Sequence, residues 1–311
     1  MTNPPHGIHT IDTGFLRPQF DAAYLIVEKG RAAFVDSGLN SSVERLLGAL
    51  ADAGCTPEQV DWLILTHVHL DHAGGAGLLL TKLPNAKLVI HPRGARHMID
   101  PTALIAGATA VYGALEVQRT YGELVPVASE RVLMAEDGYE VDLAGRPLLC
   151  LDSPGHARHH IVIYDKRSRS FFTGDTFGLS YRELDGPNGP VILPTTTPVQ
   201  FEPEPLKDSI RRMLGFQPEA MYLTHFGRMH DPAKLAEDLF VQIDAMAAIA
   251  LELADADKRH PQLCLALRQL YQQRARALDC PCSDEQVAEV LAMDIELNAQ
   301  GLAVWVDRQR A

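Results

Sequence analysis

Through the first 230 positions, short apolar runs alternate with turn residues; beyond them, apolar residues recur at helical spacing. Ile8 to Ile11 reads as a strand, and Ala23 to Val27, the turn Glu28-Lys29-Gly30-Arg31 and Ala32 to Val35 predict an antiparallel hairpin. Ser41-Ser42-Val43-Glu44 has the spacing of a capping box, and Val43, Leu46, Leu47 and Leu50 give the helix after it one apolar face. Thr56-Pro57-Glu58-Gln59 repeats the device ahead of Trp62-Leu63-Ile64-Leu65, an apolar run too short for a helix and read as a buried strand. A helix over 77–83 and a strand over 87–90 ending at His91 follow. Residues 94–125 read as a mostly helical insertion, a candidate lid carrying Tyr112 and Tyr121 among few charges.

Residues 131–150 predict a hairpin turning at Asp137-Gly138 and at Ala144-Gly145-Arg146-Pro147, with Leu148 to Leu151 as a buried strand. Ile161 to Tyr164 and Ser170 to Thr173 predict another hairpin. The segment 177–199, with Pro187, Pro190, Pro194 and Pro198, reads as a long loop that binds substrate or is pinned at an interface. A helix over 204–215 and a strand over 220–223 close the mixed region. Asp231-Pro232 then opens helices over 233–254, 261–278 and 285–307, the last started by Ser283-Asp284-Glu285-Gln286.

Directly after the strand at 62–65, His67, His69, Asp71 and His72 place three imidazoles and a carboxylate within six positions. Packing does not call for that density. These are ligand types for zinc and non-haem iron, and the absence of thiolate points away from a closed cysteine cage. From an extended backbone His67 and His69 point the same way, while Asp71 and His72 fall where the chain turns toward a helix, with Gly74-Gly75 permitting close approach.

His67-Val68-His69-Leu70-Asp71-His72 resembles the HxHxDH signature of the metallo-β-lactamase superfamily, and Thr66 and Gly74 match as well. The resemblance implies an α/β fold, an αββα sandwich, here with a C-terminal helical extension. It also implies three ligands further along, for which the chain offers His156 in Ser153-Pro154-Gly155-His156, Asp175 in Thr173-Gly174-Asp175-Thr176, and His225 in Leu223-Thr224-His225-Phe226-Gly227. By motif position, His67, His69 and His156 would hold one ion, Asp71, His72 and His225 a second, and Asp175 would bridge them. The implied cofactor is two divalent metal ions, zinc first, with iron or manganese as alternatives. A water shared by two cations is acidified to near neutrality and serves as a hydroxide nucleophile, so a hydrolase with Asp71 and Asp175 at its catalytic centre follows.

By the same resemblance Asp36, in Asp36-Ser37-Gly38, would support the ligand loop, and His160 is a candidate to orient a ligand. His159, Tyr112 and Tyr121 are candidates to face substrate; His91, at a strand end on the side where ligands collect, invites a functional reading less strongly, and His97 less again. The ligand pattern resembles that of the glyoxalase II-like branch, whose members hydrolyse thioesters; an ester or lactone fits the same chemistry, and the C-terminal sequence carries no matching glutathione-binding motif. The alternatives are redox. A persulfide dioxygenase-like enzyme would hold a single iron on His67, His156 and Asp175, and a di-iron protein would react with oxygen or nitric oxide. The latter typically replaces the second histidine of the motif by glutamate, and here His69 is kept.

The 311-residue length and 46% hydrophobic content allow a sizeable core. Forty acidic against 28 basic residues give a net charge of −12, which argues against a nucleic-acid partner and the nuclease branches, and favours a small-molecule substrate. Met1 to His9 lacks the form of a signal peptide and no long apolar run suggests a membrane span, so a cytoplasmic enzyme is expected. Cys55, Cys150, Cys264, Cys280 and Cys282 lack paired spacing, so no disulfide framework is expected. Cys280 and Cys282 with Cys264 could supply three thiolates, but no fourth ligand stands near them in sequence. The expected domains are 1–231, catalytic, with the insertion near 94–125, and 232–311, a helical extension able to cap the site or to pair two subunits as a homo-oligomer.

Overall fold

A strand buried on both faces shows no polar alternation, and this is why the early runs read as continuous apolar stretches. The computed structural model describes residues 4–310. In chain order it opens with β1 (Ile8–Asp12), β2 (Ala22–Glu28), β3 (Arg31–Val35), α1 (Val43–Asp52) and β4 (Val60–Ile64). There follow α2 (Leu70–Ala73), α3 (Ala76–Lys82), β5 (Lys87–Ile90), α4 (Pro92–Ile99), α5 (Thr102–Tyr112), α6 (Ala114–Thr120) and β6 (Val132–Met134). The six strands form one mixed sheet in sequence order, antiparallel over β1 to β3 and parallel over β3 to β6.

A second mixed sheet comprises β7 (Tyr139–Leu143), β8 (Arg146–Asp152), β9 (Ile161–Asp165), β10 (Ser170–Gly174), β11 (Ala220–Leu223) and β12 (Gly227–Met229), again in sequence order. Alternate residues of one strand serve two cores. Ala23 and Leu25 of β2 pack with Phe34, Leu63 and Leu88 against Leu46 and Leu50 of α1 and Leu79 and Leu80 of α3. Their neighbours Ala22, Tyr24 and Ile26 pack with Val35 and Ile64 against Val141, Leu148, Ile161 and Phe172 of the second sheet. This is the α/β sandwich that the motif implied, and each large aliphatic side chain buried in it contributes roughly 1.5–3 kcal/mol.

Contacts divide the chain into two units. The first contains both sheets and comprises the stretch through Asp152, His159–Gly174 and Gln217–His230. The second comprises Ser153–Arg158, Asp175–Phe216 and the chain from Asp231 onward. It holds α7 (Pro203–Leu214), α8 (Pro232–Glu252), α9 (Arg259–Ala277), α10 (Asp284–Val290) and α11 (Ala292–Arg310). Within it Leu239 and Ile243, Leu263 and Leu267, and Ala299 and Leu302 form the buried stripes of α8, α9 and α11. The proline-rich loop is fastened to α11: Asn298 accepts from Thr196 N at 2.7 Å and donates to Pro194 O at 3.3 Å and to Tyr271 Oη at 2.7 Å. Among the described residues no helix is long and apolar enough to cross a membrane.

Three local expectations change, and one strand is unexpected. Val132–Met134 does not fold back on β7 around Asp137-Gly138; it pairs in parallel with β5, Leu88 opposite Val132, and the only hairpin turn of that stretch is at Ala144-Gly145. Parallel pairing becomes possible because α4 to α6 supply the crossover. No capping box forms at Ser41, since residues 40–42 make a single 3₁₀ turn and the Ser42 hydroxyl instead accepts from Leu39 N at 3.1 Å. The final helix is two, α10 and α11, divided at Leu291, although the capping box at Ser283 and Gln286 is present. The short strand β12 carries no signal in the sequence pattern.

Candidate metal centre

The edge where β3 and β4 end is organised by Asp36, 1% exposed and held at φ 58°. Its carboxylate accepts from Thr66 N at 2.8 Å, from the Thr66 hydroxyl at 2.9 and 3.0 Å, and from the Thr224 hydroxyl at 3.2 Å. It also lies 2.9 Å from His72 Nδ1. So one buried anion ties the loop after β4 to the chain after β11 before any ligand is considered.

Asp71, His72 and His225 each offer one donor atom, all within 4.8 Å of one another. His72 Nε2 lies 3.8 Å and His225 Nε2 3.4 Å from Asp71 Oδ2. The opposite ring nitrogens are engaged elsewhere: His72 Nδ1 by Asp36, and His225 Nδ1 by the Phe20 carbonyl at 3.0 Å. An oxygen holding Nδ1 fixes the ring so that Nε2 points the other way, and two imidazole Nε2 atoms and a carboxylate face one point. That donor set suits zinc, iron or manganese.

His67 is fully buried, with Nδ1 3.1 Å from the Thr66 hydroxyl and Nε2 2.7 Å from His69 Nδ1. The His160 ring stacks on it at a centroid distance of 4.6 Å, and the His159 ring stands 5.6 Å from that of His69. Gly174, at φ +48°, lets β10 end against this group; a Cβ there would fall 2.7 Å from both His160 Nε2 and the Thr66 hydroxyl.

In the second unit His156 repeats the pattern of His72 and His225. Its Nδ1 lies 3.3 Å from the Thr195 carbonyl and its Nε2 3.4 Å from Asp175 Oδ2. Gly155 precedes it at φ +134°, where a Cβ would strike the Leu206 backbone at 2.4 Å. The sharp Pro-Gly-His turn is thus imposed by close packing on α7.

The family model of the metallo-β-lactamase superfamily matches residues 16–225. The chain belongs to this superfamily. A metallo-β-lactamase fold-containing protein of Sulfurisphaera tokodaii is 27% identical over 236 residues, which cover 72% of this chain and 80% of that one. A metallo-β-lactamase family protein of Thermus thermophilus superposes with a TM-score of 0.63 at 24% identity, over 92% of this chain and 93% of that chain. A hydroxyacylglutathione hydrolase of Stenotrophomonas maltophilia is 31% identical over 152 residues, 49% of this chain and 44% of that protein. A superfamily of metallo-hydrolases and a His/Asp cluster able to hold metal therefore agree.

In this superfamily member a series of aromatic rings leads outward from His225. The Phe20 ring lies 5.4 Å from that of His225, Phe15 5.5 Å from Phe20, Tyr121 6.4 Å from Phe15 and Tyr112 6.2 Å from Tyr121. Burial and the Asp71 carboxylate push the Tyr112 phenol up to about 12, and they raise Tyr121 further. Sequence reading misses Asp21, fully buried beside Phe20, whose carboxylate accepts from the Thr13 hydroxyl at 2.7 Å. Burial pushes it up to about 7, against the pull of His225 and His72. An aspartate just ahead of a strand looks like a turn residue, so only its tertiary setting reveals it. His91 instead caps α4, accepting from Arg93 N at 3.0 Å, and its Nε2 lies 3.3 Å from Asp152. His97 is near the His159 ring, 6.5 Å between centroids.

Proposed function

We propose that the chain is a binuclear metallo-hydrolase that cleaves a small acyl substrate, a thioester, ester or lactone. By motif position His67, His69 and His156 hold one cation, Asp71, His72 and His225 the other, and Asp175 is shared. The observation that carries the reading is the convergence of Asp71, His72 and His225 with both imidazole Nδ1 atoms occupied by oxygen. When bound, divalent cations supply an acidified water and polarise a carbonyl.

The chain's own residues do the rest. Asp36 and the Phe20 carbonyl hold Nδ1 of His72 and His225, so neither ring must turn to present Nε2. Phe15, Phe20, Tyr112 and Tyr121 offer an apolar wall for an acyl group, and the phenols, protonated throughout the neutral range, can donate a hydrogen bond to it. Thioesters head the expected substrates because of the partial likeness to a hydroxyacylglutathione hydrolase. Five free cysteines support a reducing compartment, hence the cytoplasm.

Metal analysis of the purified protein, paired with thioester, lactone, phosphodiester and persulfide substrates, tests this. Two equivalents of metal, zinc first, and hydrolysis of an acyl substrate that disappears in Asp175→Asn are expected. One equivalent of iron with oxygen uptake on a persulfide would replace the hydrolase by a dioxygenase.

A further inference from the structure

A second cluster of ligating side chains lies in the helical tail, wholly within α9 and α11. His260 and Cys264 stand one turn apart on α9, the spacing that puts two side chains on one helix face, and Glu296 reaches them from α11. His260 Nε2 is 3.0 and 3.1 Å from the two Glu296 oxygens and 3.6 Å from Cys264 Sγ, and Cys264 Sγ is 3.7 Å from Glu296 Oε2. Gln300 donates to Glu296 Oε1 at 2.8 Å, orienting the carboxylate from the next turn of α11.

We propose that His260, Cys264 and Glu296 form a separate site for one zinc-class divalent cation, clamping α9 to α11. The spacing of the three ligand atoms fits such an ion. Zinc bonds of about 2.0–2.3 Å to nitrogen, oxygen and sulfur, opened to a tetrahedral angle, place neighbouring ligand atoms about 3.4–3.6 Å apart. The observed triangle has edges of 3.0–3.7 Å. Charge is next: one thiolate and one carboxylate neutralise a divalent ion, and the mix of soft sulfur with imidazole and oxygen selects a borderline metal over magnesium or calcium. Access is the third point, since the His260 and Glu296 side chains are 40% and 50% exposed, leaving the fourth position to solvent. A cysteine thiol keeps its proton at neutral pH until an ion takes its place. Binding then replaces one proton: the S–H bond breaks, a sulfur–metal bond forms, and the proton leaves to solvent.

The proposed ligands of the histidine centre include no thiolate, so cobalt(II) distinguishes the two sites. Titrated into the full chain with its resident metal in place, cobalt is expected to produce one equivalent of a near-ultraviolet thiolate-to-cobalt charge-transfer band. The band should persist when Cys280 and Cys282 are both changed to serine, vanish in Cys264→Ser, and need at least about tenfold more cobalt in Glu296→Gln. As a second readout on the unaltered chain, zinc should protect Cys264 from alkylation and raise the thermal midpoint. No band at millimolar cobalt, a band undiminished in Cys264→Ser, or alkylation of Cys264 at the same rate with and without zinc would each overturn the site.

Discussion

Asp36 Oδ2 stands 2.9 Å from His72 Nδ1, both side chains essentially without solvent contact. The same carboxylate accepts from Thr66 and Thr224, so its charge is spent on fixing one ring and two loops at once. Asp36→Asn keeps the volume but replaces one of two acceptor oxygens by an NH2 donor, so either His72 Nδ1 or Thr66 N loses its acceptor. Metal affinity should fall about 10–100-fold, as for other supports of metal-binding histidines, with kcat falling in step at limiting metal. Chelator competition reads the affinity; an unchanged value would mean that the ring is oriented by something else.

The phenols of Tyr112 and Tyr121 should act as donors or not at all. With Tyr112 at about 12 and Tyr121 raised further, neither loses its proton in the working range, so no limb of the pH–rate profile below about pH 10 should belong to them. Tyr112→Phe and Tyr121→Phe should each lower kcat/KM about 2–10-fold, the worth of one neutral hydrogen bond, with metal content unchanged. Steady-state kinetics at wild-type values in both variants would return the tyrosines to a packing role.

Gly174 is where β10 must end without a side chain, because a Cβ would meet His160 and Thr66 at 2.7 Å and the backbone is at φ +48°. Gly174→Ala should cost more than about 1 kcal/mol and lower Tm by at least about 2 °C. Since His160 stacks on His67, metal retained through dialysis should fall as well. A melting curve and a metal assay on one preparation check both effects.

What can be read from the chain follows from which constraints are local. The cluster from His67 to His72 is legible because few side chains bind metal and their spacing is set by a strand end and a turn. The runs 22–28 and 31–35 are legible because strands with two buried faces admit almost only apolar residues. Val132–Met134 misleads because its partner is Leu88–Ile90, more than forty positions earlier, and nothing near Asp137 announces that pairing. Asp21 looks like any turn aspartate until burial is known. Cys264 likewise invites grouping with Cys280 and Cys282, whereas one helical turn sets it beside His260 and helix packing brings it to Glu296.

Acid should attack the second sheet through Asp165. This carboxylate has no solvent exposure; burial alone would raise its pKa, but the Arg146 guanidinium, at 3.0 Å through Nε and 2.5 Å through Nη2, and the Ser168 hydroxyl hold it below the ordinary 3.8. A folded-state value below the unfolded one means the unfolded chain takes up protons first as pH falls. The stabilisation is therefore complete above about pH 5 and is lost as pH drops through 4 toward the folded-state value. Asp165→Asn, which leaves Arg146 with the Glu28 carboxylate 3.7 Å from its Nη1 as its anionic partner, should cost about 1–3 kcal/mol at pH 7. Below pH 4 the unfolded chain takes up the proton first and the native chain only as pH reaches the lower folded-state value, so the gap between the two proteins should narrow. Urea unfolding of both metal-free proteins at pH 7 and pH 3 measures it, and a gap of equal size at both would assign the loss to packing instead of charge.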